Sequence, residues 1–126
     1  GRAAARIDDA ANYLPARLTA LLMALAACIP FRKGKSARNL KEELRFIRRY
    51  GRMHASPNSG YPEAALAGIL DCRFGGPHHY FGEYCFKPYI GNRLRPLTTT
   101  DMQQAVAVNR RAEILMVLTG ILLYLL

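Results

Sequence analysis

RIDDAANYLPARLTALLMALAACIPF, Arg6 to Phe31, sets a polar string directly against an apolar one. Asp8, Asp9 and Asn12 lie between the guanidiniums of Arg6 and Arg17. A helix entering lipid or a core usually sheds such groups, because burying them is costly, so keeping them here points to a site. Residues 1–14 are Ala-rich and helix-permissive. Pro15 lacks a backbone donor and is expected to kink or restart the helix. The run from Leu18 to Phe31, closed by Pro30, has 14 residues. That is short of the ~20 needed to cross a bilayer, so a core, re-entrant or interfacial segment is expected.

Composition bounds the rest. A length of 126 residues favours one domain. Hydrophobic residues at 51% and charged residues at 21% exclude a disordered tail. The net charge of +9 calls for an anionic partner: lipid headgroups, nucleic acid or a phosphorylated substrate. Cys28, Cys72 and Cys85 include no C-x-x-C pair, which argues against a disulfide framework or a zinc ribbon and fits a reducing compartment. There is no internal repeat and no signal peptide. The chain opens in mid-helix pattern and stops inside an apolar run, so a C-terminal piece of a longer protein is expected.

Residues 32–54 carry nine Lys or Arg against Glu42 and Glu43, which leaves +7 of the total charge there. Ala37, Leu40, Leu44 and Ile47 recur at helical spacing and predict an apolar stripe on a basic helix. Asn39 with Glu42 has capping-box spacing. The pattern suits a helix lying on an anionic membrane face, and the Lys/Arg excess marks the cytoplasmic side.

Residues 55–99 change character, with Gly, Pro, Asn, Ser and aromatics dominant. Pro62-Glu63 suits the first turn of a short helix through about Leu70. The remainder is expected to be ordered loop, since a solvated linker has no use for its Tyr and Phe. Thr100 with Gln103 is expected to cap a last helix, with Asp101 at its positive end. From Asp101 to Leu126 that helix would reach about 39 Å, enough to cross a bilayer, with Arg110 and Arg111 as its cytoplasmic anchors. The expected fold class is therefore mainly α: a helical integral membrane protein with an ordered, loop-rich cytoplasmic segment. Its parts are residues 1–31, 32–54, 55–99 and 100–126.

Asp8 and Asn12 are four apart, and Asp9 and Asn12 three apart, so a helix brings their oxygens toward one point. Hard oxygen ligands suit Mg²⁺, with Arg6 and Arg17 free to meet phosphate. The other reading pairs Asp8 and Asp9 with Arg2 and Arg6 as surface salt bridges. Ser56 to Gly60 (SPNSG) is either an anion cradle ahead of a helix N-terminus or a plain turn; no Walker loop is present. Glu63 is either a general base or metal ligand, or a carboxylate stabilised by the helix dipole. His78 and His79 point different ways, and no third ligand stands at metal spacing.

In this order, RIDDAANYLPARLTALL (6–22), SPNSGYPEAALAGIL (56–70), GGPHHYFGE (75–83) and KPYIG (87–91) resemble the C-terminal half of adenosylcobinamide-phosphate synthases. Those are membrane-bound, multi-pass enzymes of cobalamin biosynthesis, longer than this chain. The resemblance covers Gly1 to Asn92, and the final apolar helix also fits. It implies an ATP-dependent amide ligase joining adenosylcobyric acid to aminopropanol phosphate or ethanolamine phosphate, with Mg²⁺ to neutralise ATP. Products would be adenosylcobinamide phosphate, ADP and phosphate. Ser59 and Tyr61 depart from the small residue and the Trp usual in that motif, Lys87 replaces a frequent Arg, and His78-His79 fills a variable position.

Residue chemistry, rather than the resemblance, assigns the roles. Asp8, Asp9 and Glu63 are the catalytic candidates, and Asp8, Asp9 and Asn12 the metal ligands. Arg6 and Arg17 would hold phosphate, with Ser56, Asn58 and Glu63 lining the same pocket and Tyr80 and Glu83 touching the corrinoid. Since ATP is cytoplasmic, both RIDDAAN and the basic helix should face the cytoplasm from the cell inner membrane. Leu18 to Phe31 should then be re-entrant or buried, with Pro15 and Pro30 as its breaks. Expected partners are the corrinoid, the amine phosphate, membrane lipid and the N-terminal remainder of the protein. The alternatives are a non-enzymatic membrane sensor of the β-lactamase-regulatory type and a peripheral basic protein on lipid or nucleic acid. Nucleic acid is disfavoured because no recognition fold is visible.

Overall fold

A computed structural model describes residues 1–31 and 38–126. Along these residues run helix α1 (Arg2–Ala26), α2 (Leu40–Tyr50) and α3 (Gly60–Leu70), an antiparallel hairpin of β1 (Arg73–Tyr80) and β2 (Glu83–Gly91), and helix α4 (Thr99–Leu125).

Helix α3 is the hub, packing against α1, α2, α4 and the hairpin. Its sequence, GYPEAALAGIL, explains this: Ala64, Ala65 and Ala67 are fully buried, and such small side chains let neighbouring helices approach closely. On one side Ala65 and Ile69 join Ala20, Met23 and Ala24 of α1, Ile47 of α2, and Val108 and Ala112 of α4. On the other, Ala64 and Ala67 meet Ile90 of β2, flanked by Phe46, Tyr50 and Phe74. The second half of α1 is thus core, while its first half, including Arg6, Ile7 and Asp8, is exposed.

The expected break at Pro15 does not occur: α1 runs unbroken from Arg2 to Ala26 with Pro15 inside it. A proline removes one donor, here the bond to the Ala11 carbonyl, while its own carbonyl accepts from Thr19 Oγ1 at 2.8 Å. Core packing of the next three turns outweighs that loss. The α1 C-terminus has no basic residue of its own; Arg111 of α4 supplies the cation, donating to the carbonyls of Ala26, Ile29 and Pro30 and stacking over Phe31. Arg111 is therefore a helix clip, where the sequence suggested a lipid anchor.

Helix α2 is shorter than the expected 32–54 helix. It starts at Leu40, where the Asn39 side chain accepts from the Lys41 and Glu42 amides; residues 32–37, with Ala37, lie outside the described residues. The apolar stripe is also different. Leu44 is exposed, and the buried face carries Glu43 beside Ile47. Glu43 is 0% exposed and bonded to Arg38 Nε at 2.5 Å, while its Oε1 has no partner among the described residues. It fits because α3 offers Gly68 opposite: a Cβ there would lie 2.6 Å from Glu43 Oε1. Burial pushes the Glu43 carboxyl up to about 7, only partly opposed by Arg38.

Residues 73–91, expected to be loop, form the hairpin. Its turn is Phe81-Gly82, both at positive φ (49° and 78°), the mirror-image turn that matches strand twist. Asn-Gly is the usual sequence for that turn, and Phe in its place hides the signal. The cap of helix α4 lies two residues earlier than expected, with Thr98 and Asp101 as its capping box in place of Thr100 and Gln103. Arg95 locks this start to the end of α3: it pairs with both Asp101 oxygens and donates to the carbonyls of Leu70 and Asp71. That pairing holds the Asp101 carboxyl well below the usual carboxylate range.

The expected membrane crossing by the last helix is also corrected. No helix among the described residues is long and apolar enough to cross a membrane. Arg110, Arg111 and Glu113 interrupt the apolar character of α4.

Two outcomes follow from the Glu43–Gly68 contact. Gly to Ala inside a helix ordinarily gains up to ~1 kcal/mol; Gly68→Ala is expected to cost about 1–3 kcal/mol by overpacking, read as a lower denaturation midpoint. A gain would refute the tight contact. The folded state also holds a proton on Glu43 between pH 4.5 and about 7 that the unfolded chain has released. Stability from that protonated form is present below this window and lost as pH rises through it. Glu43→Gln should flatten the midpoint over the window, and an unchanged slope would show another group responsible.

Candidate active site

The polar half of α1 meets the loop before α3 through one guanidinium. Arg17 Nη1 donates to the Tyr13 carbonyl at 2.8 Å and to Asn58 Oδ1 at 3.0 Å, and Nη2 reaches the Pro57 carbonyl at 3.5 Å. Its plane lies 3.5 Å from the Tyr13 ring centroid and 4.2 Å from that of Tyr61. A planar, delocalised cation suits this slot, since it stacks on two rings and still presents donors at its edge.

Asn58 is the other half of the clasp. It is 6% exposed, and while its Oδ1 accepts from Arg17, its Nδ2 donates to the Asp9 carbonyl at 2.8 Å. A buried carboxamide with both ends used fixes the α1–loop register, because losing either partner leaves a desolvated polar group. The loop is braced from within. Ser56 Oγ accepts from the Asn58 and Ser59 amides, both at 3.4 Å, and the Ser56 amide donates to His54 Nδ1 at 2.9 Å. His54 Nε2 then faces Glu63 Oε2 at 3.7 Å. The Arg52 guanidinium beside the Tyr61 hydroxyl, together with Arg17, holds it below its ordinary range against the opposing effect of burial.

The structure therefore joins Asp9, Arg17, Ser56, Asn58 and Glu63 in one connected network, with Asp9 entering through its backbone. Asp8 and Asn12 form their own pair on the exposed side of α1, with Asn12 Nδ2 3.0 Å from Asp8 Oδ1. Neither Asp8 nor Asp9 forms an ion pair among the described residues, so the salt bridges to Arg2 and Arg6 are not found. Arg6 is exposed and takes no part in the network. Tyr80 and Glu83 pair across the hairpin next to its turn, exposed and outside the network. No group of three or more His, Cys, Asp or Glu placed to hold a metal is found among the described residues.

Sequence reasoning missed Tyr13, His54 and Arg52. Tyr13 was findable, being four residues before Arg17 on one helix face. His54 stands two residues before Ser56, but nothing in its spacing announces that its ring reaches back to the Ser56 amide.

Comparison with known proteins identifies the family. The family model described as CobD/Cbib protein matches residues 1–109, which include both halves of the clasp. The chain belongs to the CobD/Cbib family. Among curated relatives of the family, the cobalamin biosynthesis protein CobD of Geobacter metallireducens is 48% identical over 118 residues, 94% of this chain and 35% of that protein. The protein of the same name from Klebsiella pneumoniae is 44% identical over 106 residues, 84% of this chain and 31% of that protein. Cobalamin biosynthesis protein CbiB of Salmonella arizonae is 42% identical over 106 residues, again 84% and 31%. The chain thus spans about a third of the length of these relatives. No solved structure matches it.

If Asn58 is the pin between α1 and the loop, Asn58→Ala should destabilise by about 1–3 kcal/mol in denaturant titration. A cycle with Arg17→Ala should show coupling of at least about 0.5 kcal/mol, whereas strictly additive losses would contradict the shared clasp.

Proposed function

We propose that this chain is part of a cobalamin-biosynthesis enzyme that forms an amide bond at the expense of ATP. It joins a carboxylate of adenosylcobyric acid to the amine of aminopropanol phosphate, or of ethanolamine phosphate, giving adenosylcobinamide phosphate, ADP and phosphate. The observation that carries this reading is the Arg17–Asn58–Asp9 clasp, which brings the RIDDAAN and SPNSGYPE motifs to one place. The printed names of the relatives support the pathway.

The chemistry needs a carboxylate made electrophilic, and an acyl phosphate is the economical form. Asp8 and the Asn12 carboxamide offer hard oxygen donors on the exposed side of α1, with the half-buried Asp9 next to them in sequence. Two adjacent carboxylates suit a Mg²⁺ that keeps waters and meets substrate phosphates, rather than an all-protein cage. When bound, that ion would neutralise charge on ATP. Arg17 spends its Nη1 on Tyr13 and Asn58, so its role is first to hold the loop, and only its remaining edge is available to a phosphate oxygen. Arg6 is exposed and open to an anion. Glu63 lies on the first turn of α3, and its role here is to accept a proton from the incoming amine. Tyr80 and Glu83, exposed beside the hairpin turn, are offered as corrinoid contacts. The exposed apolar end of α4 and the basic segment support work at the cell inner membrane, with the site toward the cytoplasm, where ATP is.

The test uses the whole protein that carries this chain, purified in detergent and supplied with adenosylcobyric acid, aminopropanol phosphate, Mg²⁺ and ATP. Mass spectrometry should find an ATP-dependent condensed corrinoid. Asp8→Ala, Asp9→Ala and Glu63→Gln should each lower turnover by about 10²-fold or more. Near-normal turnover in all three would sink the residue assignment, and no product from folded wild-type protein would sink the ligase.

A further inference from the structure

We infer that His54 is a positioning residue for Glu63, setting that carboxylate to deprotonate the amine; this rests on the ligase reading above. The imidazole is held on three sides. Its Cβ lies against α3, where a Cβ at Gly60 would come within 2.9 Å of it. Its Nδ1 accepts from the Ser56 amide at 2.9 Å. Its Nε2 faces Glu63 Oε2 at 3.7 Å, a charge-pair distance that a small approach turns into a hydrogen bond.

The Ser56 contact fixes the tautomer. A backbone amide can only donate, so Nδ1 carries the lone pair and the ring proton sits on Nε2, toward Glu63. His54 therefore has no free lone pair with which to act as the base itself. What it offers is an N–H aimed at one carboxylate oxygen, leaving the other for substrate. Both side chains are partly open, 27% and 34% exposed, so a small amine can reach the pair. The same Ser56 braces Asn58, which ties the imidazole to the Arg17 clasp.

The step balances as follows. The substrate amine arrives as an ammonium and gives one proton to Glu63. The freed nitrogen lone pair attacks the carbonyl carbon of the acyl phosphate. The carbon–oxygen bond to phosphate breaks, and phosphate leaves with the electron pair and takes the second proton from nitrogen. An ammonium cannot attack until that first proton is gone, so the orientation of Glu63 limits the rate only for nucleophiles that arrive protonated.

Hydroxylamine is neutral near physiological pH and needs no such base, which makes it the discriminating probe. Wild type, Glu63→Gln, His54→Ala and His54→Gln, in the whole protein, would be assayed with ATP, Mg²⁺ and adenosylcobyric acid against either aminopropanol phosphate or hydroxylamine. His54→Ala should lower kcat with aminopropanol phosphate by about 10²-fold while leaving the KM for ATP in place. Hydroxamate formation should fall far less, and His54→Gln, which keeps a donor, should recover part of the loss. Equal losses with both nucleophiles, or no loss with either, would overturn the positioning role. Wild type that forms no ATP-dependent hydroxamate would instead overturn the ligase reading on which it rests.

Discussion

Everything in this chain depends on how closely other elements can approach α3. The middle of α3 is lined by Ala64, Ala65, Ala67 and Gly68, so α1, α2, α4 and the hairpin can all pack against it. The same smallness admits Glu43 beside Gly68, a carboxylate that a larger residue would expel. Close packing around one short helix also fixes where its N-terminus points, and the SPNSG loop with His54 and Glu63 sits at that end. The core is what holds the two polar motifs at a set distance.

The clasp shows why two motifs forty residues apart can act as one. Asn58 alone would be a buried polar liability, and Arg17 alone a flexible surface cation. Together they satisfy each other, and the Asp9 carbonyl takes the remaining amide proton. Because the Asp9 backbone is held in this way, the side chains of Asp8, Asp9 and Asn12 are presented from a fixed stretch of α1 rather than from a frayed terminus.

The helices were legible where apolar period and caps agree. The motif helix, the short helix through Leu70 and the Asn39 cap were all visible in residue order. The hairpin was not, because its turn uses Phe81 where Asn or Asp normally signals positive φ, and its strands are mostly exposed and so lack strict alternation. Pro15 misled because the one backbone bond it removes is outweighed where the following turns are anchored in the core. Glu43 misled in the opposite sense: a charge on a basic helix reads as solvated, and only the glycine across the interface makes its burial possible. The members of the site were readable as residue types, whereas their connections through Ser56, His54 and Tyr13 are tertiary and leave no mark in spacing.

The net charge of +9 overstates what the surface offers an anion. Arg17, Arg38, Arg95 and Arg111 are internal clips, each spending guanidinium hydrogens on carbonyls or a carboxylate. Arg17 and Arg111 also stack on aromatic rings, a geometry lysine cannot reproduce, so these positions call for arginine on structural grounds alone. The cations left exposed on α2 are Lys41, Arg45, Arg48 and Arg49, on the side turned away from the core. An anionic surface would therefore meet α2 first, whereas at the clasp Arg17 has only its remaining edge free.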